Sequence, residues 1–147
     1  MRNILFLCTG NSARSIMAEA YMNKAGAGRW CAYSAGSHPT GRPNLLALET
    51  LSVHGVPAVN PRSKSWDEFA AAGAPVMEVV VTVCDNAAGE VCPIWPTRQG
   101  RLPQKSHWSF PDPAAVTGSD AAKRAAFEEV FADIRARIDD FLGSEPA

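Results

Sequence analysis

A thiol, five residues, a guanidinium and a hydroxyl stand in one run, Cys8-Thr9-Gly10-Asn11-Ser12-Ala13-Arg14-Ser15. That order suits a nucleophile working on a bound oxyanion. The backbone N–H groups of Thr9, Gly10, Asn11, Ser12, Ala13 and Arg14, together with the start of a following helix, favour negative charge at one point. The Arg14 guanidinium matches two oxygens of a tetrahedral anion. The same positive field should lower the pKa of Cys8 and make it a thiolate near neutral pH. Gly10 permits a tight turn, and Asn11 tolerates left-handed backbone better than most residues. Ser15 can donate a hydrogen bond to the sulfur or to a leaving group.

Two more thiols lie far along the chain, in Cys84-Asp-Asn-Ala-Ala-Gly-Glu-Val-Cys92-Pro93. Taken alone they could be passive core thiols. They could also bind metal, but zinc would need two more ligands, of which His107 could be one, and no Cys-x2-Cys pair is present. Cys31, between Trp30 and Tyr33, reads as packing. Asp112 precedes Pro113, which taken alone suits a turn.

These residues need elements to hold them. Asn3 to Leu7 is a short apolar run that stops at Cys8 and reads as a buried strand. Ser15 to Lys24 carries Ile16, Met17, Ala20 and Tyr21 at helical spacing, and Gly26 and Gly28 end it. Trp30 to Ser34 reads as a second strand. Asn44 to Val53 reads as a helix preceded by Pro43, a residue type favoured in first turns. Ser65-x-x-Glu68 has the form of a capping box opening a short helix that ends near Gly73. Val76 to Val83 is apolar almost throughout, as in a central parallel strand covered on both faces. Asp85 to Pro113 is long and proline-rich, with an extended piece expected around His107 to Phe110. Ser119 to Leu142 is an amphipathic helix whose stripe is Phe127, Val130, Phe131, Ile134, Ile138, Phe141 and Leu142, stopped by Gly143.

Strands alternating with helices predict an α/β fold, a single three-layer α/β/α domain over residues 1–147 with a central, mostly parallel four-stranded sheet. Ligands of such sheets sit beyond the carboxyl ends of the strands. Cys8 and Cys84 each follow a strand, so they are expected on the same edge. The chain has 147 residues, enough to bury a core without staples, and 46% hydrophobic residues argue against disorder. A net charge of -1 gives no reason to expect nucleic acid or an acidic membrane as partner. No stretch approaches the ~18 apolar residues of a membrane span. Met1 to Leu7 is too short for a signal sequence, so a cytoplasmic location and reduced cysteines are expected.

Cys8 to Ser15 resembles the phosphate loop of the low-molecular-weight protein tyrosine phosphatases. The likeness extends to Ser34-Ala35-Gly36 and to Asp112-Pro113, and so spans nearly the whole chain. It implies that Asp112 is the general acid. The stretch from Cys84 to Pro93, and His107-Trp108-Ser109-Phe110-Pro111-Asp112-Pro113, resemble the arsenate reductases built on this fold. That resemblance implies reduction of arsenate to arsenite. Cys8 attacks arsenate, Asp112 protonates the departing oxygen, Cys84 attacks Cys8, and Cys92 attacks Cys84. It implies no tightly bound cofactor but an external thiol reductant: thioredoxin, or else glutaredoxin with glutathione, or mycothiol. The three-cysteine order leans toward thioredoxin. Phosphate and sulfate should compete as oxyanions. Asn11, Glu19, Ser34 and Asp67 look like the positions that hold a monovalent cation such as potassium. A monomer suits the size and polarity. The alternative is a phosphatase hydrolysing phosphate monoesters through a phosphocysteine, its extra cysteines merely protective. An aromatic usual after Asp-Pro in the phosphatases is replaced here by Ala114, which argues against phosphotyrosine. A third reading is an oxyanion or redox sensor without turnover.

Overall fold

Apolar stretches and helical stretches alternate along the chain, and the computed structural model follows that alternation; it describes residues 1–85, 89, 95–97 and 100–144. Strand β1 spans Arg2–Leu7, helix α1 Arg14–Ala25, strand β2 Trp30–Ala35 and helix α2 Leu45–Val53. Helix α3 spans Asp67–Ala70, strand β3 Val79–Thr82 and strand β4 Gln104–His107. A 3-10 turn at Pro113–Ala115 precedes the last helix, α4, over Asp120–Ser144.

The sheet has four strands in the order β2-β1-β3-β4, and every pairing is parallel. β1 is therefore the pivot. The chain leaves it for β2 on one side and returns for β3 on the other, so the strand order reverses at β1. Such a reversal opens a crevice beyond the carboxyl ends of the strands. Leu7 pairs with Thr82. Cys8 and Cys84 thus emerge beyond the same edge, as the sequence predicts.

Strand periodicity of two assigns the residues of β1 and β3 to opposite faces. Ile4, Phe6, Val79 and Val81 pack with Met17, Phe127, Phe131, Ile134 and Ile138 of α1 and α4. Leu5, Leu7 and Val80 pack with Phe69, Met77 and Trp95, flanked by Tyr33, Trp66 and Ala70. The predicted stripe of α4 is buried except at Phe141, which stays half-buried and lies against Trp30 and Trp108. Each fully buried aliphatic or aromatic side chain contributes about 1.5–3 kcal/mol. The exposed pair that Arg124 of this helix makes with Glu49 of α2 is of a kind worth about 0–1 kcal/mol. Packing, not surface charge, therefore holds α4.

Three local expectations are corrected. The fourth strand lies at Gln104–His107, before rather than around Trp108 and Phe110. Those two aromatics are buried, and Trp108 packs on Phe6 and Phe141 with ring centroids 5.9 and 5.6 Å away. The apolar signal marks a plug on the core, whereas the strand is a polar edge. α3 ends at Ala70, short of Gly73, and the capping box forms only in half. Ser65 Oγ accepts from the Asp67 amide at 3.1 Å, but the Glu68 carboxylate is drawn to Arg62 at 2.9 Å. Pro43 precedes α2 as expected, and Asn44 is the cap, its Oδ1 accepting from Leu46 and Ala47. β3 is shorter than its apolar run, because Glu78 ahead of it is engaged with Asn3 through both its amide and its carboxylate.

Candidate active site

Beyond β1 the chain turns sharply and enters α1. The turn is made at Asn11, whose φ is 44°, whereas Gly10 keeps ordinary backbone angles. The left-handed position thus belongs to Asn11, the residue whose type was expected to tolerate it. Asn11 is fully buried and its side chain is bonded at both ends. Nδ2 donates to Ser15 Oγ at 2.8 Å, and Oδ1 accepts from the Lys64 amide at 2.8 Å.

The loop's carbonyl groups are tied off from outside. Thr9 O accepts from the His38 amide at 2.9 Å and Gly10 O from the Thr40 amide at 3.0 Å. Gly10 O also takes the Ser63 hydroxyl at 3.0 Å, and Ser12 O takes the Asn44 amide at 2.7 Å. With carbonyls held outward, the amide N–H groups of the loop face inward, forming the concave donor set that binds anions. One amide is turned away from that set: Asn11 N–H donates to Cys8 O at 3.2 Å. Of the six residues expected to offer amides, Asn11 serves instead as the brace. Gly36 lets the outer layer come this close. A Cβ there would stand 2.4 Å from Thr9 O and 2.5 Å from Cys8 O, both backbone atoms.

A cavity of about 400 Å³ opens over the loop, and Cys8, Arg14, Cys84, Asp112, Thr40 and Ala114 are among the residues that line it. Arg14 is largely buried. Its Nη1 donates to Phe110 O at 2.9 Å, and its Nη2 stands 3.9 Å from Asp112 Oδ2. Asp112 is half exposed at the mouth, and its other oxygen caps the 3-10 turn through the Ala114 amide at 3.0 Å. Ser15 is fully buried; having accepted from Asn11, its hydroxyl directs its own hydrogen elsewhere.

Cys8 and Cys84 are both buried and reduced, and they line the same cavity. Cys84 Sγ also lies 3.9 Å from Thr9 Oγ1. The expected lowering of the Cys8 pKa is corrected here. The Cys84 thiol and then burial push Cys8 up, and they outweigh the Arg14 charge and the Gly10 amide, which pull it down. Cys92 lies outside the described residues. Cys31 is half-buried beside Tyr33, away from the loop.

A network absent from the sequence reading flanks Cys84. Asp85 Oδ1 accepts from His107 Nε2 at 2.9 Å and from Ser109 Oγ at 2.8 Å, while His107 Nδ1 meets Thr82 at the sheet edge. The His107 and Ser109 hydrogen bonds hold the Asp85 carboxyl below its ordinary range. His107, weighed above as a metal ligand, is engaged here by Asp85 and Thr82.

Of the four residues expected around a cation, three come together. Ser34 Oγ donates to Glu19 Oε1, and Asn11 is linked to the same corner through Lys64. Asp67 is exposed in the first turn of α3, and no described contact joins its carboxylate to that corner. Lys64 is buried, and its Nζ stands 3.8 Å from Glu19 Oε1 and 3.2 Å from Arg62 O. Ser63 and Lys64 carry no motif or periodicity, and only the folded chain brings them to the loop.

Comparison with known proteins places this geometry among relatives. The model of the low molecular weight phosphotyrosine protein phosphatase family matches residues 3–145. An arsenate reductase of Halalkalibacterium halodurans is 39% identical over 94% of this chain and 93% of its own length. One from Bacillus subtilis is 37% identical over the same shares. The crystal structure of arsenate reductase from Archaeoglobus fulgidus superposes with a TM-score of 0.71 at 28% identity, covering 96% of this chain and 99% of the other.

Proposed function

Since the chain belongs to the low molecular weight phosphotyrosine protein phosphatase family, with relatives named arsenate reductase along its whole length, we propose that it reduces arsenate to arsenite by thiol chemistry. The observation that carries the reading is that two buried thiols, Cys8 and Cys84, line one cavity over the loop that ends in Arg14. A phosphate ester needs one nucleophile. Reduction needs a second thiol within reach of the first.

Arsenate sits in the loop on the inward amides of Thr9, Gly10, Ser12, Ala13 and Arg14, with two oxygens on the Arg14 guanidinium. The Cys8 thiolate attacks arsenic, and Asp112 gives a proton to the oxygen that leaves as water. Ser15 steadies the sulfur. Cys84, as thiolate, then attacks the Cys8 sulfur. The S–S bond forms, the S–As bond breaks, and its electron pair stays on arsenic, which leaves as arsenite. Arsenic gains two electrons and the two thiols lose them. Cys92 attacks Cys84 in turn, freeing Cys8 and leaving a Cys84–Cys92 disulfide for an external reductant. A disulfide between nearby residues suits a dithiol protein such as thioredoxin, with glutaredoxin and glutathione, or mycothiol, as the other reductants. Thiols that cycle in this way fit a cytoplasmic enzyme. No helix among the described residues is long and apolar enough to cross a membrane.

The complete loop, Arg14 and Asp112 also favour a second reading, hydrolysis of small phosphate esters through a phosphocysteine. Ala114 at the cavity wall offers no ring to hold a phenyl group. The deciding experiment is arsenate-dependent oxidation of NADPH by the purified protein with thioredoxin and thioredoxin reductase. Sustained turnover is expected. No turnover with thioredoxin, or with glutaredoxin and glutathione, while a phosphate ester is still hydrolysed, would make the protein a phosphatase.

A further inference from the structure

A free monovalent cation does not fit the corner formed by Glu19, Ser34 and Asn11. The Glu19 carboxylate already takes the Ser34 hydroxyl and faces the Lys64 ammonium, and Asp67 is exposed in the first turn of α3. A buried ammonium stands 3.8 Å from the Glu19 carboxylate, and a second cation would meet its repulsion. We propose that Lys64 is a cation built into the chain, a positioning residue that braces the oxyanion loop and makes it independent of added potassium.

The route from Lys64 to the loop is short. Its ammonium is held by Glu19 of α1 and by Arg62 O. Its amide holds Asn11 Oδ1, and Asn11 makes the left-handed turn and fixes Ser15. Its carbonyl accepts from the Gly36 amide at 2.9 Å, and Gly36 backs Cys8 and Thr9. One residue thus joins α1, the end of β2 and the apex of the loop. Burial pushes Glu19 up and Lys64 down, and each group's charge opposes that shift in the other. Removing the ammonium therefore leaves a half-buried carboxylate without its counter-charge, at a place shaped to take a cation from solution.

The inference rests on the anion-loop part of the proposed function, and its test uses phosphate rather than arsenate turnover. Alkylation of Cys8 by iodoacetamide, read by peptide mass spectrometry, is measured against phosphate concentration in potassium chloride and in choline chloride of equal ionic strength. The wild type should show the same phosphate protection in both salts. Lys64→Met should bind phosphate about tenfold more weakly in choline, the scale of one charge-assisted hydrogen bond, and should regain affinity with potassium. Lys64→Arg should stay insensitive to potassium. Glu19→Gln with Lys64→Met removes both charges and should lose the potassium response even if the single variant folds poorly. Potassium dependence in the wild type, or a Lys64→Met protein that matches wild type in choline or gains nothing from potassium, would overturn the proposal. Absence of any phosphate protection in the wild type would instead overturn the anion loop itself, and Lys64's role with it.

Discussion

Cys8 stands between opposed influences, and their balance sets when it can react. The Arg14 charge and the Gly10 amide favour its thiolate, while the Cys84 thiol and burial favour the protonated form and prevail. Two thiols that raise or lower each other's titration lose their protons as a pair, so the first proton lost belongs to the pair rather than to either sulfur. With the anion absent, Cys8 is thus guarded near neutral pH, and its reactivity should climb only under alkaline conditions. Replacing Cys84 with alanine removes the largest influence that raises the pKa. The sign follows: a lower pKa means more thiolate at neutral pH. Alkylation of Cys8 in Cys84→Ala should therefore reach its plateau at a pH at least one unit below that of the wild type, the size of a single strong perturbation. Rates of iodoacetamide labelling across pH 5 to about 10, resolved for the Cys8 peptide, give the answer. An unchanged profile would mean that burial alone guards the nucleophile. Residue types announced Cys8, Arg14 and Asp112 because each has a chemical job at a fixed spacing. They did not announce Lys64, Ser63 or the steric need for Gly36, because those act through contacts made only when distant segments meet.

At the scale of elements, legibility tracked burial. β1, β2, α1, α2 and α4 repeat apolar residues at strand or helix periods, and each was read to within a residue or two of its observed bounds. β4 was displaced because its residues, Gln104 to His107, are polar and make a strand only by pairing with β3. That edge strand nonetheless carries a residue that matters to the site. His107 ties Asp85, the neighbour of Cys84, to Thr82 at the end of β3. Ser109 adds a second tie. The clasp holds the backbone after Cys84 against the sheet edge and so keeps its sulfur facing Cys8. His107→Ala should slow formation of the Cys8–Cys84 bond severalfold, since Asp85 is exposed and its ties compete with water. Hydrolysis of a phosphate ester, which needs no second thiol, should be unaffected. Rapid-quench measurement of arsenite release beside p-nitrophenyl phosphate hydrolysis separates the two. A parallel loss of both would show that His107 supports the whole loop rather than Cys84.

For the whole molecule, the reversal of strand order at β1 is what would let one fold serve both of the proposed chemistries. It brings the ends of β1 and β3 together, so the first two thiols meet on a rigid sheet edge. A third thiol placed there as firmly would compete with Cys84 for Cys8 and stall the chain of exchanges. The relay instead asks that Cys84 leave Cys8 and join a partner supplied by the segment that follows it, with Cα atoms brought to about 4.4–6.8 Å. The sequence between Cys84 and Cys92, with Ala87, Ala88 and Gly89, offers small side chains for that rearrangement. The proposed relay has separable tasks: Cys8 and Cys84 would reduce arsenic once, and Cys92 would make the reduction repeatable. Cys92→Ser should release about one arsenite per chain and then stop, because the Cys8–Cys84 disulfide has no internal route out. Its mass should fall by two hydrogens, with the bond mapped between Cys8 and Cys84. Phosphate ester hydrolysis should persist before arsenate is added and vanish afterwards, as the nucleophile is consumed. Steady arsenite production by Cys92→Ser with thioredoxin would show that the reductant takes the Cys8–Cys84 disulfide directly, and the third thiol would then have no part in the cycle.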